Sequence, residues 1–367
     1  MKVIMTGGGT GGHIYPAIAI ADKIKERYPD SEILFVGTEY GLEKNIVPDN
    51  GYPIEFITVA GFNRKNLLKN IEVMRKLSKG NKQAKKLMKE FKPDVVIGTG
   101  GYVCGPVVRA AHKAGIKAYT HEQNAFPGVT NKLLEKYVDK LFLGFPEAQK
   151  YFKHRQKHVL AGNPVRKAFF EADPKESRRK LGLPLNDFVL LVFGGSQGAG
   201  RINKAMLSVI EAVNGMEGIQ VCMATGKRYY TAILDELQQD RRIELADNIH
   251  ILEYIGNMED YLSAADLVIS RSGALTVAEV TVCGKAAIFI PSPIVTGNHQ
   301  YHNAKAVADH GGALILEEKD MDNEKLIAQI LKLKNDPDQI RRMSENSKKC
   351  APVDAAEIIC NNLDLKK

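Results

Sequence analysis

At 367 residues, with 44% hydrophobic and 26% charged residues, the chain has the length and composition of two ordinary globular domains. No apolar run of about eighteen residues occurs, which argues against a membrane-spanning helix. Five scattered cysteines without a C-x-x-C pair point to reduced, mostly buried thiols rather than a disulfide framework or zinc knuckle, and the net charge of +8 favours anionic partners.

The opening MKVIMTGGG lacks the apolar stretch of a secretory leader and reads as a first strand, Lys2–Thr6, so a cytoplasmic protein is expected. The glycine loop Gly7–Gly12 follows, then a helical pattern through Ile14, Ala17, Ile18 and Ala21. Strand, glycine turn and helix form the opening unit of a doubly wound α/β domain, and such a turn brings backbone N–H groups close to a phosphate. Gly7, Gly9 and Gly12 satisfy G-x-G-x-x-G, so a dinucleotide-binding dehydrogenase is one reading, with Glu39 as its loose candidate for the ribose-binding acid. Against that reading, His13 and Pro16 fall at the expected helix start. A proline suits that position, and the imidazole beside the loop could take up a proton.

Further apolar runs at Ile33–Val36, Ile54–Val59, Val95–Ile97, Lys117–Thr120 and Leu141–Leu143 alternate with helical patterns. Between them, Arg64–Lys92 carries eleven Lys or Arg, with Glu72 and Glu90 as its only acids. Its apolar positions Leu67, Leu68, Ile71, Met74, Leu77, Ala84, Leu87, Met88 and Phe91 recur at helical spacing. Such a segment fits either an anionic membrane surface or a solvated helix packed on the core. Few aromatics interleave with the charges, so nucleic acid is not expected. A second glycine loop, Gly98–Gly101, follows one of these strands. A turn at Gly162-Asn163-Pro164 ends the first set and marks a domain boundary, giving residues 1–163 and 164–349.

The second half repeats the opening: Phe188–Phe193, then Gly194–Gly198, then a helix through Ile202, Ala205, Met206 and Val209. Strands are expected at Ile219–Ala224, His250–Leu252, Leu267–Ser270, Ala286–Ile290 and Ala313–Leu316. Two Rossmann-like, doubly wound parallel-sheet domains in tandem follow from this alternation, and a final helix over about 350–367 is a candidate to pack back on the first, which the sequence alone does not decide. Ser270-Arg271-Ser272-Gly273 offers donors for a phosphate or ribose, and Glu279, inside the next helix, suits paired ribose hydroxyls. The dense polar set Asn298–Asn303 suits a polyhydroxyl ligand better than a metal, although it holds His299 and His302. Asp320-Met321-Asp322 and Asp336-Pro337-Asp338 match the Asp-x-Asp of metal-dependent sugar transferases, but read as helix caps. No metal or cofactor is therefore expected. Leaving-group charge falls to backbone amides and a cation, for which Arg166 is the candidate.

The blocks GGGTGGHIYP, GTGGYVCGP, HEQN, GNPVR, GGSQGA, RSGALTVAE and HQYHNA occur in order along nearly the whole chain. Together they resemble the bacterial N-acetylglucosaminyltransferases that form lipid II, of the GT-B architecture with its cleft between two Rossmann-like domains. The resemblance implies inverting transfer of N-acetylglucosamine (GlcNAc) from UDP-GlcNAc to the C4 hydroxyl of MurNAc in undecaprenyl-pyrophosphoryl-MurNAc-pentapeptide, lipid I. It further implies that Ser196 and Arg166 meet the donor diphosphate, the Ile255 backbone meets uracil, Glu279 meets ribose, and Gln300 and Asn124 meet GlcNAc hydroxyls. Thr10, Gly11 and Gly12 would face the sugar and the acceptor diphosphate, with Gly9, Gly100, Gly101 and Tyr102 in the acceptor loops. His13 is the favoured general base and Glu122 the second candidate. The chain departs from the pattern at His299, where some members carry glutamine. A lipid-linked acceptor places the enzyme at the cytoplasmic face of the cell membrane, on the anionic inner leaflet, through the basic stretch of the first domain. Rival readings are a diacylglycerol glycosyltransferase, a sugar-nucleotide epimerase, the dehydrogenase, and a non-catalytic UDP-sugar sensor.

Overall fold

The computed structural model describes residues 1–61, 69–195, 197–352 and 354–364, with only the main chain described at 69, 70 and 296. Two compact units emerge, Met1–Val165 with Val353–Lys367, and Arg166–Pro352.

The first unit holds strands β1 Lys2–Gly7, β2 Glu32–Gly37, β3 Ile54–Phe56, β4 Val95–Gly100, β5 Lys117–Glu122, β6 Lys140–Leu143 and β7 His158–Leu160. They form one sheet in the order β3-β2-β1-β4-β5-β6-β7, parallel at every pairing. The central strands read as unbroken apolar runs because helices cover both faces of the sheet. Val3, Met5, Phe35 and Ile97 pack on one side with Ile14, Ile18 and Ile24 of the helix Gly11–Arg27. Ile4, Val36 and Val96 pack on the other with Val107, Val108 and Ala84.

In the helix Lys69–Phe91 the two readings of the basic segment divide between faces. Val73, Ala84 and Met88 are buried, whereas Ile71 and Met74 are exposed, as are Arg75, Lys79, Lys82, Lys85 and Lys86. The stripe expected from spacing is thus narrower than predicted, and residues 64–68, with Leu67 and Leu68, lie outside the described residues. Gly80 allows the helix to approach the main chain, since a Cβ there would sit 2.5 Å from the Thr58 carbonyl.

The last described helix, Ala355–Asn361, lies on the helix Gly11–Arg27. Ile359 and Cys360 enter the same core, Lys23 pairs with Asp354 at 3.1 Å, and Arg27 donates to Asn361 at 2.7 Å.

The second unit holds β8 Phe188–Phe193, β9 Ile219–Ala224, β10 Ile249–Leu252, β11 Leu267–Ser270, β12 Ala286–Phe289 and β13 Ala313–Ile315, in the order β10-β9-β8-β11-β12-β13. All its pairings are also parallel. In each sheet the strand order reverses once, between β1 and β4 and between β8 and β11. Loops leaving the carboxyl ends of those strands diverge there, which is where open α/β sheets take their ligands.

Candidate active site

At the first switch point, the loops after β1 and β4 touch through glycines. A Cβ on Gly7 would lie 2.0 Å from Thr99 Oγ1, and one on Gly101, itself at φ +86°, would lie 2.5 Å from the Gly8 carbonyl. Gly8 N–H donates to the Gly100 carbonyl at 3.3 Å.

His13 lies on Gly100, where an added Cβ would meet its ring at 2.6 Å. Its Nδ1 is 3.0 Å from the Gly8 carbonyl and 3.5 Å from Thr10 Oγ1. A carbonyl can only accept, so Nδ1 carries the proton and Nε2 is the basic nitrogen of the neutral ring. The Thr99 hydroxyl donates to the His13 carbonyl at 2.6 Å, fixing the first helical turn.

That turn starts at Gly11, so the amides of Gly11 and Gly12 lack intrahelical acceptors and suit an anion. Pro16 is not at the helix start as expected. It sits in the second turn, where its missing N–H leaves the Gly12 carbonyl without its helical donor. Gly9 also departs from expectation. Its N–H is not offered to a ligand but donates to Glu43 Oε2 at 2.9 Å. The acid that reaches this loop is therefore Glu43, fully buried, whereas Glu39 is exposed. Tyr102 is also exposed, in the β4 loop.

Glu122 ends β5 with both oxygens engaged. Oε1 accepts from the Asn124 amide at 3.0 Å and its side chain at 3.1 Å. Oε2 accepts from the Gly128 amide at 3.0 Å and Asn131 Nδ2 at 2.9 Å. Four donors on a buried carboxylate shape the 123–131 loop and orient Asn124, an arrangement that suits a scaffold better than a proton acceptor. His121 is structural as well: Nε2–H donates to the Gly162 carbonyl at 2.8 Å, Nδ1 accepts from Gln123 at 3.0 Å, and burial lowers its pKa to about 4.

Cys104 lies beneath the two glycine loops. Its thiol donates to the Thr6 and Gly100 carbonyls, at 3.0 and 2.9 Å, and burial pushes its pKa up to about 12. Glu43, Thr99, Cys104 and Asn131 went unnoticed in the sequence. The available signal was a carboxylate two residues past Gly41, in a segment with two glycines close before it.

In the second unit, Gly198 is packed tightly against the main chain that follows β9. Gly195 and Gly198 have φ of +85° and +72°, and a Cβ on Gly198 would lie 2.0 Å from the Thr225 carbonyl. Ser196 lies outside the described residues.

Arg166 pairs with Glu259 through Nη2 at 3.0 Å, its guanidinium 5.1 Å from the centre of the Phe169 ring. Glu279 is partly buried and makes no hydrogen bond with its carboxyl among the described residues. Desolvation pushes its pKa up to about 7, with Arg166 opposing and Glu259 adding to the rise. Ile255 is buried, and no hydrogen bond joins its main-chain amide to another described residue.

The serines of the β11 turn do not offer the donors expected of them. Ser272 is buried and donates to the Gln300 carbonyl at 2.8 Å, and Ser270 donates to the Arg271 carbonyl. The Gln300 side-chain oxygen accepts from Ser292 N–H at 2.8 Å, bracing the loop after β12. The Asp-x-Asp strings serve helix N-termini: Asp322 accepts from Lys325 N–H at 2.9 Å and Asp336 from Gln339 N–H at 2.8 Å. Among the described residues no group of three or more His, Cys, Asp and Glu is placed to hold a metal ion.

Residues 3–143 match the glycosyltransferase family 28 N-terminal domain and residues 189–359 its C-terminal domain. The UDP-N-acetylglucosamine–N-acetylmuramyl-(pentapeptide) pyrophosphoryl-undecaprenol N-acetylglucosamine transferase of Acetivibrio thermocellus is 44% identical over 359 residues, covering 98% of this chain and 96% of that protein. The protein of the same name from Alkaliphilus oremlandii is 43% identical, covering 99% and 98%. The crystal structure of Acinetobacter baumannii MurG superposes with a TM-score of 0.76 at 30% identity, covering 98% of both chains. A UDP-N-acetylglucosamine 2-epimerase from Listeria monocytogenes reaches 0.69 at 13% identity, over 99% of this chain and 96% of that one, a likeness of fold alone.

Proposed function

The chain belongs to glycosyltransferase family 28, among the N-acetylmuramyl-(pentapeptide) pyrophosphoryl-undecaprenol N-acetylglucosamine transferases, and from that premise we propose its reaction and the residues that carry it. It transfers GlcNAc from UDP-GlcNAc to the C4 hydroxyl of MurNAc in lipid I, forming lipid II. Near-full-length identity of 44% to a transferase of that name is the observation that carries this assignment.

The acceptor C4 oxygen bonds to C1 of GlcNAc as its proton passes to His13 Nε2. The bond from C1 to the β-phosphate oxygen breaks on the opposite face, and its electron pair leaves with UDP. One displacement converts an α-linked donor into a β-linked product. The Nδ1–H contact to the Gly8 carbonyl supports His13 as base, because it leaves the lone pair on Nε2. The saturated carboxylate of Glu122 argues for a supporting part that orients Asn124.

The second unit binds the donor. Arg166, with a single N–H committed to Glu259, retains donors for the diphosphate. Glu279, whose carboxyl has no hydrogen-bond partner among the described residues, takes the ribose hydroxyls, and the Ile255 main chain takes uracil. Ser196 belongs to the diphosphate contacts and Gln300 to the sugar contacts by the family pattern. Gly11 and Gly12 present their first-turn amides to the acceptor diphosphate. No described helix is long and apolar enough to cross a membrane. The exposed Ile71, Met74 and neighbouring lysines of the helix Lys69–Phe91 support docking on an anionic membrane surface.

Incubation with labelled UDP-GlcNAc and a lipid I analogue tests the reaction. A labelled lipid product is expected. Label in diacylglycerol, or an epimerised nucleotide with no transfer, would overturn the assignment.

A further inference from the structure

The amide of Gly9 and the carbonyl of Gly8 belong to one peptide group, and its two ends meet different partners. The N–H donates to Glu43 Oε2 at 2.9 Å, and the C=O accepts from His13 Nδ1–H at 3.0 Å. We propose that Glu43 is a positioning residue for His13, acting on it through this single peptide group.

The carboxylate is held for the purpose. It is fully buried, and its second oxygen accepts from Thr38 N–H at 2.9 Å and Thr38 Oγ1 at 2.7 Å. Glycines make its room. A Cβ on Gly8, Gly37 or Gly41 would lie 2.4, 2.5 or 2.1 Å from a Glu43 atom. The charge sits at the N–H end of the peptide dipole and the imidazole at its carbonyl end, so the carboxylate polarises the carbonyl towards Nδ1–H. Two consequences follow. The ring is fixed with its proton on Nδ1, and the imidazolium formed when Nε2 takes a proton is stabilised. A carboxylate bonded directly to a catalytic histidine does the same; here one peptide group intervenes.

Other titratable groups near the pair are Tyr15 on the same helix, Tyr102 in the β4 loop, Cys104 beneath Gly100 and Tyr40, which feels the Glu43 charge, whereas the charged residues of the helix Gly11–Arg27, from Asp22 on, lie at least two turns further along. Among the described residues, Glu43 is the only carboxylate hydrogen-bonded to either glycine loop.

The catalytic side of this inference rests on His13 being the base, but the coupling can be read without turnover. The His13 ring is titrated by NMR in the full-length protein, in Glu43→Gln and in Thr38→Val. Over roughly 8 Å, losing one unit charge at an effective dielectric of about 20–80 lowers the His13 midpoint by about 0.4–1.5 pH units, the result expected for Glu43→Gln. Thr38→Val removes one donor from the carboxylate, leaves more charge for the Gly9 amide, and should move the midpoint upward. The acid limb of the kcat profile should follow both shifts, with the UDP-GlcNAc KM within about twofold of wild type. If Glu43→Gln does not fold, Thr38→Val alone decides. An unmoved His13 midpoint in the folded variants, or a downward move in Thr38→Val, overturns the proposal. A shifted midpoint together with undiminished kcat in His13→Ala would instead remove His13 as base and leave the coupling standing.

Discussion

Glu279→Gln should stabilise the empty protein above neutral pH while weakening its hold on the donor. Burial raises the Glu279 pKa from 4.5 to about 7, so the folded state holds a proton that the unfolded chain releases. A carboxyl raised in this way contributes stability that is full below 4.5 and is lost as pH rises through 7. Between pH 5 and pH 8 the loss is at most about 2.5 kcal/mol, and solvent at a partly buried site reduces it to about 1–2.5 kcal/mol. Glutamine fills the same space with nothing to titrate. For a unit of this size, each kcal/mol moves Tm by about 2–4 °C. The variant's Tm should therefore gain about 2–10 °C on wild type between pH 5 and pH 8, by scanning calorimetry without nucleotide. Titration with UDP at pH 8 should show the opposite preference, with affinity reduced by about 1–3 kcal/mol through lost ribose contacts. A Tm difference that stays constant across this pH range would refute the reasoning, because it would mean that the carboxyl titrates normally in the folded state.

His13→Ala should lower kcat by about 10²–10⁴-fold with the UDP-GlcNAc KM little changed, measured by steady-state transfer assays. Glu122→Gln replaces an acceptor-only carboxylate by an amide that cannot satisfy four donors. It should cost about 1–3 kcal/mol of stability in thermal unfolding and should leave the pH dependence of kcat in place. A lost or shifted acid limb in that variant would return Glu122 to the role of base. In liposome flotation the protein should rise with anionic vesicles at low salt and lose that binding at high salt. Equal binding to neutral vesicles would remove the electrostatic part of the docking proposal.

The sheets were readable in the sequence because buried parallel strands are apolar on both faces. All twelve expected runs overlap observed strands, Phe188–Phe193, Ile219–Ala224 and Leu267–Ser270 residue for residue. His158–Leu160 escaped because it is a three-residue edge strand that follows Arg155-Gln156-Lys157 and has little apolar length to announce it. Glycine loops were also legible, since strand, glycine turn and helix are a local pattern. What fills and braces those loops was not. Glu43 lies 34 positions from Gly9, and Thr99 reaches His13 from 86 positions away. Such partners follow from which strands neighbour each other, which local pattern does not encode. Ser272 shows the complementary error. Its residue type suggested a ligand donor, but the helix beginning at His299 brings the Gln300 carbonyl against it and uses the hydroxyl inside the protein. Pro16 misled in a smaller way, because the helix accepts glycines in its first turn and so begins five residues earlier.

The most direct test is the linkage in the product made from UDP-GlcNAc and a lipid I analogue, read by NMR. Attack by the C4 hydroxyl, with its proton leaving to His13 and UDP departing from the opposite face, predicts a single β-configured GlcNAc on C4 of MurNAc. An α-linked product, or GlcNAc attached at another hydroxyl, would contradict it.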